Sequence, residues 1–160
     1  MNLLLSVLTL VVIAIVVVTA LIVLSGFRFI PNNRIGVVEK RFSNQGSIKS
    51  GFIALSGEAG FQPNILRGGL HYLTPIQYVV HMMPLVTITQ GKIGYIFARD
   101  GKQLDPTQVL ASNAVVSDFQ DVEAFLQGGG QRGPQRRILR EGTYAINLLQ
   151  FVFHFSQYFK

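Results

Sequence analysis

The side chains of this chain that could do chemistry are its histidines, carboxylates, hydroxyls and arginines. It has three His, eight Asp and Glu, and fourteen Lys and Arg among 160 residues. His71, His81 and His154 are far apart. No two of them have the i, i+4 spacing that, with a nearby carboxylate, presents two imidazoles to one zinc ion. Asp118, Asp121 and Glu123 crowd into what reads as the first turns of a helix, where negative charge complements the helix dipole. Ser56-Gly57-Glu58 lacks the Gly-x-Ser-x-Gly frame of a nucleophile elbow. Gly128-Gly129-Gly130-Gln131-Arg132-Gly133 lacks the Gly-Lys-Ser/Thr ending that grips a nucleotide phosphate, and no strand leads into it, so it reads as a flexible connector. With no cysteine in the chain, disulfide frameworks and thiolate zinc sites are excluded. No catalytic constellation is present, so a non-enzyme without cofactor or metal is expected.

Two basic features are candidates for binding. Arg132, Arg136, Arg137 and Arg140 form the densest cluster of positive charge. Contact with anionic lipid headgroups, worth about 1 kcal/mol per charge at a membrane surface, or with an acidic partner is one reading. A solvated face, paired with Glu141, is the other. No aromatic residues are interleaved for base stacking, so nucleic acid is not an expected partner. Phe27, Arg28 and Phe29, followed by Ile30, resemble the aromatic and basic collar that holds a helix at headgroup depth. The competing reading is that these side chains begin the core of the following domain. The formal net charge of +6 favours attraction to an anionic membrane surface.

The element that would position the collar is Leu3–Leu24, which carries no charge and only Ser6, Thr9 and Thr19 as polar side chains. As a helix it is about 33 Å long, against a hydrocarbon core of about 30 Å. Its many β-branched residues would favour a strand in water. In lipid only a helix satisfies every backbone group within a single segment. The run is too long, and its N-terminal side too poor in positive charge, for a cleaved signal peptide. An uncleaved anchor spanning residues 1–26 is expected, with a connector at 27–33. Arg28, Arg34, Lys40 and Arg41 follow the span and no Lys or Arg precedes it. The positive-inside rule therefore puts the N-terminus outside and the remainder in the cytoplasm.

About 135 residues follow the anchor, enough for one small domain. Alternation and turn residues predict strands at 34–42, 51–55, 70–73, 78–82, 86–90 and 92–99, with a long loop marked by Gly57, Gly60, Pro63, Gly68 and Gly69. Asp100-Gly101 reads as a turn. Ser117 as N-cap with Gln120 three residues on predicts a helix presenting Phe119, Val122, Phe125 and Leu126 and ending at Gly128. A second helix is predicted after Pro134, with Ile138, Leu139, Ala145, Ile146 and Leu149 as its apolar stripe and Arg136 and Arg140 sharing one face. Phe151, Phe153 and Phe155 then return to a strand period. Strands first and helices later make an α+β domain.

Several strings carry a family resemblance. They are Ile30-Pro31-Asn32-Asn33-Arg34-Ile35-Gly36-Val37-Val38 just after the apolar segment, Arg67-Gly68-Gly69-Leu70-His71-Tyr72-Leu73-Thr74-Pro75, the turn Arg99-Asp100-Gly101, and the stretch 130–147. In this order the chain resembles the stomatin/prohibitin/flotillin (SPFH, band 7) superfamily, in particular its bacterial flotillin-like members. The resemblance implies a partial SPFH-like domain over residues 34–160, since members usually continue into a long coiled coil and no heptad run is present here. It also implies a membrane-anchored scaffold that organises a membrane microdomain, forms homo-oligomers and associates with membrane proteases or other membrane proteins. The alternative is a membrane-tethered binding or regulatory subunit of a membrane enzyme or protease that builds no scaffold.

Overall fold

A computed structural model describes residues 2–113 and 118–157. The chain starts with helix α1, Asn2–Leu24. The hydroxyls of Ser6, Thr9 and Thr19 donate to the carbonyls of Leu3, Ser6 and Ile15, each at 2.8 Å, so these polar groups are satisfied inside the helix. The helix is long and apolar enough to cross a membrane, and the rest of the protein buries none of it. A cylinder apolar on every side gains nothing from water and is the favoured form in hydrocarbon. Ser25 N–H donates to Leu21 and Gly26 N–H to Val23, which closes the last turn.

Antiparallel strands follow. Strand β1 (Phe27–Ile30) pairs with β4 (Gly69–Tyr72) as a two-stranded ribbon. Strand β2 (Arg34–Lys40) lies between β3 (Gly60–Leu66) and β5 (Tyr78–Pro84). Strand β6 (Val86–Ile88) pairs with β9 (Gly142–Tyr144). Strand β7 (Lys92–Ala98) is flanked by β8 (Gly133–Pro134) and β10 (Phe151–Gln157). A short helix, α2 (Val122–Gln127), supplies Val122 and Phe125 to the core. With α1 leading into these sheets, the fold is α+β, as expected.

The core is built on three phenylalanines. Phe151 meets Phe119 and Phe125 edge-on, both at 5.2 Å between ring centres. This arrangement sets the positive ring edge against a negative face. Ile88, Ile96, Leu139 and Ile146 pack around them. Phe119 holds its place with a backbone φ of 59°, and Asp118 before it has φ 49°. Two successive left-handed non-glycine residues are costly, and the burial of Phe119 compensates.

Several sequence expectations are corrected. The helix expected from Ser117 begins at Val122, and its N-cap is Asp121, whose carboxylate accepts from Ala124 N–H at 2.9 Å. Ser117 itself lies outside the described residues. Gln120 lies before the helix, and its side-chain oxygen accepts from Ala145 N–H at 3.2 Å. The helix expected after Pro134 does not form. Gln135 N–H donates to Ile96, and Leu139 exchanges both backbone hydrogen bonds with Gly94, so non-local pairing with β7 replaces the helical ladder. Leu139, Ala145 and Ile146 are buried nonetheless. The apolar positions are as read, and only the geometry that buries them differs.

The expected long loop contains β3. Pro63 sits where the β2–β3 register shifts between Val37 and Glu39, in a bulge of an outer strand where its missing N–H costs nothing. The strand expected at 51–55 is reduced to one bridge, Ile53 to Phe61. Asp100-Gly101 is not a hairpin turn. Asp100 instead accepts from Phe52 N–H at 3.2 Å, and Lys102 N–H donates to Gly130.

Candidate membrane-facing ribbon and basic pocket

Residues 27–33, expected as a connector, contain β1. Its register with β4 sets Phe27 opposite Tyr72, Arg28 opposite His71, Phe29 opposite Leu70 and Ile30 opposite Gly69. Because side chains alternate across a strand, Phe27, Phe29, Leu70 and Tyr72 share one face. They are 45, 67, 67 and 52% exposed. Phe27 and Tyr72 stack edge-on at 5.1 Å. On the other face Ile30 is fully buried. It fits because Gly36 of β2 has no side chain: a Cβ there would lie 2.7 Å from the Ile30 methyl. The two readings of this segment therefore divide by residue. Ile30 begins the core, while Phe27 and Phe29 stay outside it.

The ribbon is latched to the end of α1. Leu73 N–H donates to the Gly26 carbonyl at 3.0 Å. A Cβ on Gly26 would meet the Leu73 carbonyl and the Tyr72 ring, both at 2.7 Å. The apolar face thus starts directly at the end of the apolar helix. Leu70 and Tyr72 are site residues that sequence reasoning missed. Their alternation was visible, but the register that aligns them with Phe27 and Phe29 is a non-local property. Arg28 is exposed on the opposite face, and His71 there pairs with the Arg67 carbonyl at 2.7 Å.

The four arginines separate. Arg132 is fixed by its N–H to the Lys102 carbonyl, at 2.9 Å, and does not line the basic pocket. Arg136, Arg137 and Arg140 line a pocket of about 510 Å³ together with Asn113, Asp118, Ile138, Leu139 and Tyr144. No helix face brings them together. The backbone is pinned at the buried residues Gln135 and Leu139, and the arginines stand on the loop around those two pins. Buried Gln135 donates its side-chain amide to the carbonyls of Gln131 and Gly133, at 2.8 and 2.9 Å. Tyr144 donates its hydroxyl to the Arg140 carbonyl at 3.1 Å, which ties this loop to β9. Arg137 pairs with Asp118 at 2.5 Å, rather than with Glu141. Both partners are nearly half exposed, and such a pair contributes about 0–1 kcal/mol.

His71 lies on the ribbon, on the face opposite the aromatic one, and the other two histidines stand apart from both sites. His81 bonds Glu39 across β5 and β2 at 2.7 Å and meets the Phe61 ring edge-on. His154 is exposed on β10. Among the described residues no three His, Cys, Asp or Glu side chains are grouped to hold a metal ion. The ribbon can bury apolar surface, and the pocket can bind negative charge. No family model, no curated protein and no solved structure matches this chain.

Proposed function

We propose that this chain is a non-enzymatic, membrane-anchored scaffold of the SPFH kind. In this reading α1 is an uncleaved span with its N-terminus outside. The sheets lie in the cytoplasm against the inner leaflet, where the protein forms homo-oligomers and holds other membrane proteins, such as a protease. The observation that carries the reading is the exposed aromatic face of the β1–β4 ribbon, continuous with the end of α1. Full burial of a Leu or Phe side chain contributes about 1.5–3 kcal/mol. Phe27, Phe29 and Leu70, with the Tyr72 ring, are about half to two-thirds exposed, and together they favour the headgroup boundary by several kcal/mol; aromatic rings prefer that depth. Arg28 stands on the opposite face of the ribbon, so it adds only longer-range attraction to anionic lipid. A domain held against the bilayer is confined with its neighbours to the membrane plane, which favours their assembly.

Two measurements test this. The chain has no tryptophan, so Tyr72→Trp gives a single reporter of the ribbon. In nanodiscs with brominated lipid chains its emission is expected to be blue-shifted and quenched; water-like, unquenched emission refutes the lipid contact. Sizing of the detergent-extracted chain is expected to give a large homo-assembly. A monomer, or a fixed small complex with one other protein, supports the tethered regulatory subunit instead.

A further inference from the structure

Three guanidinium groups on one short loop repel one another, and a fold keeps them together at a cost unless something negative binds among them. In the 510 Å³ pocket Asp118 engages Arg137 and, among the described residues, no other arginine. Among the described residues neither Arg136 nor Arg140 has an acidic partner. The loop is held in shape without them, by the Leu139–Gly94 hydrogen-bond pair, the buried Gln135 amide and the Tyr144–Arg140 hydrogen bond. The positive charge is therefore preorganised and its spare donors are open to solvent. Guanidinium groups present planar pairs of N–H donors that match phosphate oxygens two at a time. Arg137 already holds the Asp118 carboxylate, through one such donor. The pocket is roomy enough for a phosphate ester as well as the free ion.

We propose that Arg136, Arg137 and Arg140 form a binding site for a phosphate group, with Asp118 as an internal competitor for Arg137. The phosphate group is carried either by a lipid headgroup or by a soluble phosphate compound. A phosphate dianion matches the charge left over once Asp118 is set against the three arginines. An acidic peptide would need an extended run of positive charge, whereas Arg132 lies outside the pocket. The site depends on neither the scaffold assembly nor the ribbon contact, and the Tyr72→Trp reporter succeeds or fails independently of it.

The test uses the full chain in phosphatidylcholine nanodiscs, with the arginine side chains labelled for NMR. Inorganic phosphate is titrated against sodium chloride at matched ionic strength. Saturable shifts of the Arg136 and Arg140 Nε–H signals are expected with phosphate and not with chloride. Arg136→Gln with Arg140→Gln should weaken binding at least tenfold. Asp118→Asn should strengthen it several-fold, an opposite sign that a merely structural role for these residues does not produce. In a second arm the discs contain phosphatidylglycerol. If a headgroup is the ligand, the arginine signals are already shifted and added phosphate changes little. If the ligand is soluble, the phosphate titration is unchanged from neutral discs. No saturable response in either arm overturns the proposal, as does a response to a polyglutamate peptide alone.

Discussion

Two parts of the molecule carry the same short pattern, phenylalanine at alternate strand positions, and treat it in opposite ways. In β1, Phe27 and Phe29 stand exposed on a two-stranded ribbon. In β10, Phe151 is completely buried, Phe153 is half-buried and Phe155 is exposed again. The residues are alike, so the difference lies in what stands over the strand. Phe151 lies beneath Phe119 and Phe125, brought over it by a left-handed turn and by α2. Toward Phe155 the strand runs beyond that cover. Among the described residues no protein layer covers the ribbon's apolar face, and its neighbour in sequence is the apolar helix. Alternation thus says that a strand has two unlike faces, and the surrounding layers decide what the apolar face meets.

Five substitutions test this contrast, each read as a change in urea-induced unfolding of the full chain in nanodiscs, followed by pulse proteolysis. Phe151→Ala removes the ring shared by both edge contacts and should cost about 3–5 kcal/mol. A loss below about 1 kcal/mol would mean that the three-ring cluster is not the centre of the core. Gly26→Val puts a branched side chain where even one carbon comes within 2.7 Å of Leu73 and Tyr72. It should cost about 1–3 kcal/mol by overpacking and raise proteolysis within the ribbon. Wild-type behaviour would show that the ribbon is not latched to the helix end. Asp121→Ala removes the N-cap of α2 and should cost about 1 kcal/mol, while Asp121→Asn should retain most of the stability. Phe29→Ala should have the smallest effect on unfolding, within about 0.5 kcal/mol, because its ring is exposed from the protein and the tether to α1 keeps lipid within its reach in the unfolded chain as well. If it destabilises the domain as much as Phe151→Ala does, protein covers the ribbon face and the contrast between the two regions fails.

Much of the fold was legible in the residues. The strands at Arg34–Lys40, Tyr78–Pro84 and Lys92–Ala98 follow from alternation and β-branched composition. The β10 strand follows from the change of period at Phe151. The helix after Pro134 misled because Leu139, Ala145 and Ile146 fit a helical stripe and are also buried when the backbone runs beside β7. Apolar spacing reports burial before it reports conformation. β3 was hidden by Gly60 and Pro63, residues that mark a loop unless an outer strand bulges around them, and the bulge depends on β2.

The candidate sites divide in the same way. Phe27, Arg28 and Phe29 stood out as a candidate collar because an apolar span beside aromatic and basic residues is a local signal. Leu70 and Tyr72 joined them only through the strand register. Arg136, Arg137 and Arg140 were visible as a charge cluster. That they line one pocket, that Arg132 does not, and that Asp118 is the internal partner came from the packing of their loop.

By itself, then, the sequence determined α1, the alternating strands, the absence of cysteine chemistry and the positions of the charges. These depend on single residues or on neighbours within a few positions. The tertiary structure alone decided which apolar faces are covered and which arginines meet, because both depend on hydrogen-bond register and packing between segments distant in the chain.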